Sequence, residues 1–167
     1  QAGQGYQNDR LKEDLFTAAF FASKTSETAN QIPTNSHLRL IAEGQPLPEP
    51  VLETIRKLAT THRFFHWPLA FPQVFGEGSA GGFDVMLGNP PWDVSQMNET
   101  EYFASRAPWV AGLAGAKRKA AIEDLQSKYP ALFERYLTDR KTIEGQNQFA
   151  RIAGRNKLTA KGKLNLY

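Results

Sequence analysis

Only one short stretch of this chain reads as a β-strand, and that most constrains what it can fold into. Phe83-Asp84-Val85-Met86-Leu87 is a continuous apolar run, the pattern of a strand covered on both faces. It runs through Gly88 into Asn89-Pro90-Pro91-Trp92. Proline lacks an N–H and fixes φ, so pairing cannot continue past Asn89. One strand cannot build a sheet that buries itself. The covered chain is therefore expected to be mostly helical with one or two strands, or to borrow a partner.

The helices follow from periodicity. Leu11, Leu15, Phe16, Ala19 and Phe20 recur at helical spacing and predict a helix over about 9–22. Residues 23–49 are polar and proline-bearing and read as a loop, with a short turn at His37–Ile41. Pro50 suits a first helical turn, and Val51, Leu52, Ile55, Leu58 and Ala59 carry that helix to about His62. Pro68 and Pro72 flank an aromatic connector, and Gly76–Gly82 reads as a glycine-rich turn. Beyond the prolines, helices are expected at Glu99–Arg106, at Ala114–Lys128 with a basic opening Lys117-Arg118-Lys119, and from Pro130. In the last of these, Leu132, Phe133, Tyr136 and Leu137 form one stripe. The organisation expected is a helical segment over 9–62, a connector, strand and loop over 64–92, a helical insertion over 99–144 and a basic segment over 145–167.

Totals limit the function classes. A chain of 167 residues suits one ordinary domain. With 41% hydrophobic and 22% charged residues, it has the composition of a soluble globular protein. There is no cysteine, which excludes disulfides, thiolate metal sites and cysteine nucleophiles and suits a cytoplasmic setting. No apolar run approaches the ~20 residues of a membrane span, so no membrane partner is expected. The first residues, Gln1-Ala2-Gly3-Gln4-Gly5, are polar and carry no secretory signal. Net charge is +3, but Gly145–Tyr167 holds five basic residues (Arg151, Arg155, Lys157, Lys161, Lys163) and no acid. That segment suits a polyanion, or equally an ordinary solvated surface. The missing methionine at the start, and the Lys163-Leu164-Asn165-Leu166-Tyr167 end, read as a fragment of something longer.

Three patterns resemble sites without their context. Gly76-Glu77-Gly78-Ser79-Ala80-Gly81 matches G-x-G-x-x-G, but a dinucleotide loop leaves a strand and opens a helix, whereas these glycines lead into the strand. His62 and His66 are four apart, yet Trp67-Pro68 follows at once and no carboxylate lies between them. A packed or hydrogen-bonded imidazole is the expectation for His66. Ser79 and Ser95 have no histidine beside them in sequence, so nothing indicates a serine triad.

Asn89-Pro90-Pro91-Trp92 has physical content of its own. Two prolines remove two donors, leaving the carbonyls of Asn89 and Pro90 free to accept. Together with the Asn89 amide oxygen they suit an exocyclic amine, whose lone pair would turn out of its ring toward an electrophile. Trp92 offers a stacking face for the base. The bland reading is a Pro-Pro turn beside a core tryptophan.

The run Phe83-Asp84-Val85-Met86-Leu87-Gly88-Asn89-Pro90-Pro91-Trp92 resembles the catalytic motif of adenine-specific DNA methyltransferases. His66-Trp67-Pro68-Leu69-Ala70-Phe71-Pro72-Gln73-Val74-Phe75 is similar to an aromatic–proline run preceding that motif in Eco57I-like restriction-modification methylases. The end, Lys161-Gly162-Lys163-Leu164-Asn165-Leu166-Tyr167, is similar to the segment leading into the helix after the catalytic loop. The likeness spans about Leu11 to Tyr167 and centres on 64–92.

The resemblance implies an α/β parent, a Rossmann-like methyltransferase that uses S-adenosylmethionine to methylate adenine in DNA within a restriction-modification or phage-defence system. It implies that Asn89 and Pro90 hold the target amine, Pro91 stiffens the loop and Trp92 stacks the flipped adenine. Asp84 would be structural, and His66 and Trp67 would buttress the pocket. The family's glycine-rich turn for the cofactor, set between a strand and a helix, is not found in residues 1–80. The cofactor cradle is therefore expected outside this fragment, which alone would be inactive, with DNA and the rest of the parent chain as partners. The competing class is a non-enzymatic nucleic-acid-binding module or structural domain. Salt-dependent DNA binding that survives loss of Asn89 and Trp92 would favour it.

Overall fold

The computed structural model describes residues 2–76, 78, 81–89 and 96–154. The chain divides into two compact units, Gln1–Asn89 and Pro90–Tyr167.

The first unit is built on helices α1 (Ala2–Phe21), α2 (Asn35–Ala42) and α3 (Glu49–His62), with a single 3-10 turn at Ala29–Gln31 between α1 and α2. Helix α1 begins seven residues before the predicted start at 9, running through Gly3 and Gly5. Its inward face is Leu15 and Ala18, with Asp14 and Thr17 also buried, and Ala22 is buried just past its end. Phe16, Ala19 and Phe20, which the periodicity placed on that face, are only half-buried. Leu15 and Ala18 pack with Ile41 of α2 and with Val51 and Ile55 of α3, and Leu11, Leu38, Leu47, Leu58 and Phe64 close the edges. Full burial of a side chain such as Leu15 or Ile55 is worth roughly 1.5–3 kcal/mol.

The helix ends are set by local chemistry. Helix α2 was expected only as a turn at His37–Ile41. It starts at a capping arrangement in which the Thr34 backbone N–H donates to His37 Nδ1 at 3.1 Å. Helix α3 carries Pro50 in its first turn, as predicted, and stops at Arg63, which is left-handed with φ 51°.

Two one-turn helices follow, α4 (Trp67–Ala70) and α5 (Pro72–Phe75), where the sequence suggested an irregular connector. Each carries its proline in the first turn, where the missing N–H breaks no helical bond. No strand forms among the described residues, which corrects the expectation at Phe83–Leu87. Val85, Met86 and Leu87 are 72%, 64% and 92% exposed. A strand draws its hydrogen bonds from a neighbour, and here none is paired with it.

In the second unit, α6 (Glu99–Ala104), α7 (Pro108–Ala111), α8 (Gly115–Lys128) and α9 (Pro130–Ile152) enclose Phe103, Ala107, Val110, Ile122, Leu125 and Tyr136. Asn98 caps α6, its side-chain oxygen accepting from the Thr100 N–H at 3.1 Å. The stripe predicted on the last helix holds, with Leu132, Phe133 and Leu137 packing beside buried Tyr136. Helix α9 continues through buried Gly145 to Ile152, past the boundary expected at 144.

Helices α6 and α9 are braced reciprocally. The Tyr102 hydroxyl donates to Asp139 at 2.9 Å, and the Tyr136 hydroxyl donates to Glu99 at 2.8 Å. Arg106 lies over the Tyr102 ring at 4.4 Å. The Arg118 guanidinium donates to the Ala111 carbonyl at 3.2 Å and ties α8 to the end of α7.

No described helix is long and apolar enough to cross a membrane.

Candidate active site

The predicted site residues lie at the end of the first unit and just past it. Asn89 is exposed and outside regular secondary structure. Pro90, Pro91 and Trp92 lie outside the described residues, as do Ser79 and Ser95. What the structure supplies is the support from which Asn89 departs.

That support starts at Asp14 and His66. The carboxylate oxygen Oδ1 of Asp14 lies 2.7 Å from His66 Nε2, and the two side chains are 12% and 6% exposed. A carboxylate only accepts, so Nε2 carries the hydrogen and donates it. Glu13 Oε2 stands 3.8 Å from the other ring nitrogen. Arg10 approaches the outer oxygen of Asp14 at 3.7 Å. His66 is thus a buried, hydrogen-bonded histidine, as expected. His62 does different work: its ring packs 4.6 Å from Phe21 and lies parallel to Phe64 at 6.1 Å. Burial pushes the His62 pKa below its ordinary 6.5. Among the described residues no group of three acidic or histidine side chains is placed to hold a metal.

Residues 63–67 alternate. Phe64 and His66 turn inward, while Arg63, Phe65 and Trp67 are exposed. His66 also precedes α4 directly, its carbonyl accepting from the N–H groups of Leu69 and Ala70 at 3.1 and 3.0 Å.

Trp67, Phe71 and Phe75 sit four apart, and each proline restarts a turn, so the period survives across two helices. Trp67 stacks on Phe71 at 5.6 Å. Phe83 enters edge-on between these rings, 5.9 Å from Trp67, 5.3 Å from Phe71 and 5.4 Å from Phe75. Edge-to-face pairs at such spacings contribute about 0.5–1.5 kcal/mol each beyond their buried area. The first residue of the expected strand is therefore held in a three-ring slot. Asp84, which follows it, is exposed.

The glycines between slot and helix form a turn. The Gly76 N–H donates to the Pro72 carbonyl at 2.7 Å, and a Cβ on Gly76 would collide with that oxygen. Gly78 and Gly81 have φ of 80° and 78°, the left-handed region that glycine enters without strain. The turn leaves a helix and leads to residues 81–89, which form neither strand nor helix. It therefore aims no helix N-terminus at a phosphate, and the G-x-G-x-x-G likeness is geometric coincidence.

Two elements of this support escaped the sequence reading. One is the Asp14–His66 pair, whose only trace is an acid set in the apolar face of α1 between Leu11 and Ala18. The other is the slot, whose trace is the four-residue spacing of Trp67, Phe71 and Phe75.

A family model described as Eco57I restriction-modification methylase matches residues 14–119, more than half of the chain. The matched span opens on Asp14 and contains His66, the slot and Asn89. No curated protein and no solved structure matches the chain.

Proposed function

The chain belongs to the Eco57I restriction-modification methylase family, and from that premise we propose that it carries the target-amine half of an adenine-N6 DNA methyltransferase site. In this reading Asn89 accepts one hydrogen of the exocyclic amine through its side-chain oxygen, and the Pro90 carbonyl accepts the other. Accepting both turns the nitrogen lone pair out of conjugation with the ring. Pro91 holds the two acceptors in register, and Trp92 stacks on the flipped adenine.

S-adenosylmethionine supplies an electrophilic methyl group in this chemistry. The described residues do not fit that cofactor: their one glycine-rich turn lies between a helix and a segment without regular structure. We place the cofactor cradle outside these residues, in a Rossmann-like sheet, and propose that the fragment alone is inactive.

The observation that carries the reading is the run Phe83–Trp92 in a chain of this family, with Asn89 exposed beyond a segment rooted in the aromatic slot. The test is Asn89→Ala in the complete methylase. Methyl transfer to adenine in duplex DNA is expected to vanish while the circular dichroism spectrum stays unchanged. Transfer at the original rate would remove the reading.

A further inference from the structure

We infer that Asp14 and His66 are positioning residues for methyl transfer, acting on the catalytic segment through the slot that holds Phe83. The inference rests on the assignment of Asn89 to the target amine.

Burial of the pair is the first ground. Two polar side chains as covered as Asp14 and His66 lose water that only a well-made hydrogen bond replaces. An apolar pair of similar volume would stabilise the helix contact at least as well. What the polar pair adds is direction. A 2.7 Å bond to one named atom fixes the rotamer of His66 and its height along α1, which sliding apolar surfaces do not.

The second ground is where His66 sits. It is the residue at which the chain turns from the extended stretch into α4, and its carbonyl anchors that helix's first N–H bonds. Trp67 is the next residue. Its ring stacks on Phe71, and Trp67, Phe71 and Phe75 all meet Phe83 edge-on. A contact on α1 is thus carried, through one turn of helix and three rings, to the root of the segment ending at Asn89. Phe83 is itself 38% exposed and Asp84 to Asn89 are exposed too, so the ring contacts of Phe83 are what roots the segment.

The third ground is the unused alternative. Neither Asp14 nor His66 has a part in accepting or stacking the target base in the proposed site, and both are buried whereas Asn89 is exposed. Their contribution to transfer is indirect, and it should appear in turnover rather than in DNA binding.

The test compares Asp14→Leu, which removes the acceptor, with Asp14→Asn, which keeps one. In this chain, nuclear Overhauser contacts between the Trp67 and Phe83 rings should be lost in Asp14→Leu and present in Asp14→Asn, with helical content equal in both. Contacts that persist in Asp14→Leu overturn the inference, and so does their loss in both variants. In the complete methylase, Asp14→Leu should lower kcat by about tenfold or more with KM for DNA little changed, and Asp14→Asn should restore it. An unchanged kcat, or a defect confined to KM, overturns it. If Asp14→Leu loses helical content, Phe83→Leu tests the same path from its other end: the Asp14–His66 hydrogen bond stays intact, and kcat must still fall. Full activity in Asn89→Ala would sink the functional reading and with it the role in methyl transfer, whereas the ring contacts, measured without catalysis, report separately whether Asp14 seats Phe83.

Discussion

His66 Nε2 donates to Asp14 Oδ1 at 2.7 Å across 52 residues of chain, joining the middle of α1 to the entry of α4. Removing either partner costs the other its one short hydrogen bond in a buried setting, with only Arg10 at 3.7 Å left beside Asp14 or Glu13 at 3.8 Å left beside His66. Asp14→Ala is expected to destabilise the fold by about 1–3 kcal/mol, measured by urea unfolding. A loss within experimental error would mean that water replaces the carboxylate without penalty.

The alkaline limb of stability carries a tyrosine signature. Burial first, then the hydrogen bond to Asp139, pushes the Tyr102 pKa up to about 12. In the unfolded chain a tyrosine titrates near 10. The folded state therefore disfavours the phenolate. The stability is complete below about pH 10 and is lost as pH rises toward about 12. Burial and the hydrogen bond to Glu99 raise Tyr136 as well, so ultraviolet titration at alkaline pH should show a late-titrating component that shrinks by one tyrosine in Tyr102→Phe. A titration curve unaltered by that substitution would contradict the assignment.

Isothermal titration of this chain with S-adenosylmethionine should give no micromolar binding, because the described glycine turn offers no helix N-terminus to the cofactor. Micromolar affinity would require a cradle within these residues and would overturn the proposal that it lies elsewhere.

If Trp92 stacks the target base, Trp92→Ala in the complete methylase should weaken binding of a duplex carrying an extrahelical adenine by about 1–3 kcal/mol. Trp92→Phe should recover most of it. Equal losses for Ala and Phe would favour a packing role over stacking.

Much of this molecule is legible in its sequence, and the remainder is illegible for identifiable reasons. Val51 and Ile55 on α3, and Tyr136 with its stripe on α9, announce themselves by period because each helix presents one face to its own core. The N-terminal half of α1 does not: Gly3 and Gly5 argue against helix, and nothing apolar recurs before Leu11. The same propensity rule ended the expected last helix before Gly145, which the structure buries within α9. Phe83–Leu87 has the composition of a strand, but strand formation depends on a pairing partner rather than on the run itself. The proposed site is a motif of sequence, Asn89-Pro90-Pro91-Trp92, of which the described residues include only Asn89. Of its support, a packed or hydrogen-bonded His66 is expected from sequence, but its partner Asp14 is not, because the two meet only after the helices have packed.

The bare run Val85-Met86-Leu87 also bears on handling the protein by itself. Three consecutive apolar residues, mostly exposed and with Asp84 as the neighbouring charge, leave backbone donors and acceptors open to a second molecule. Solubility of the isolated chain will then be governed less by its overall charge than by how those few residues are covered in storage.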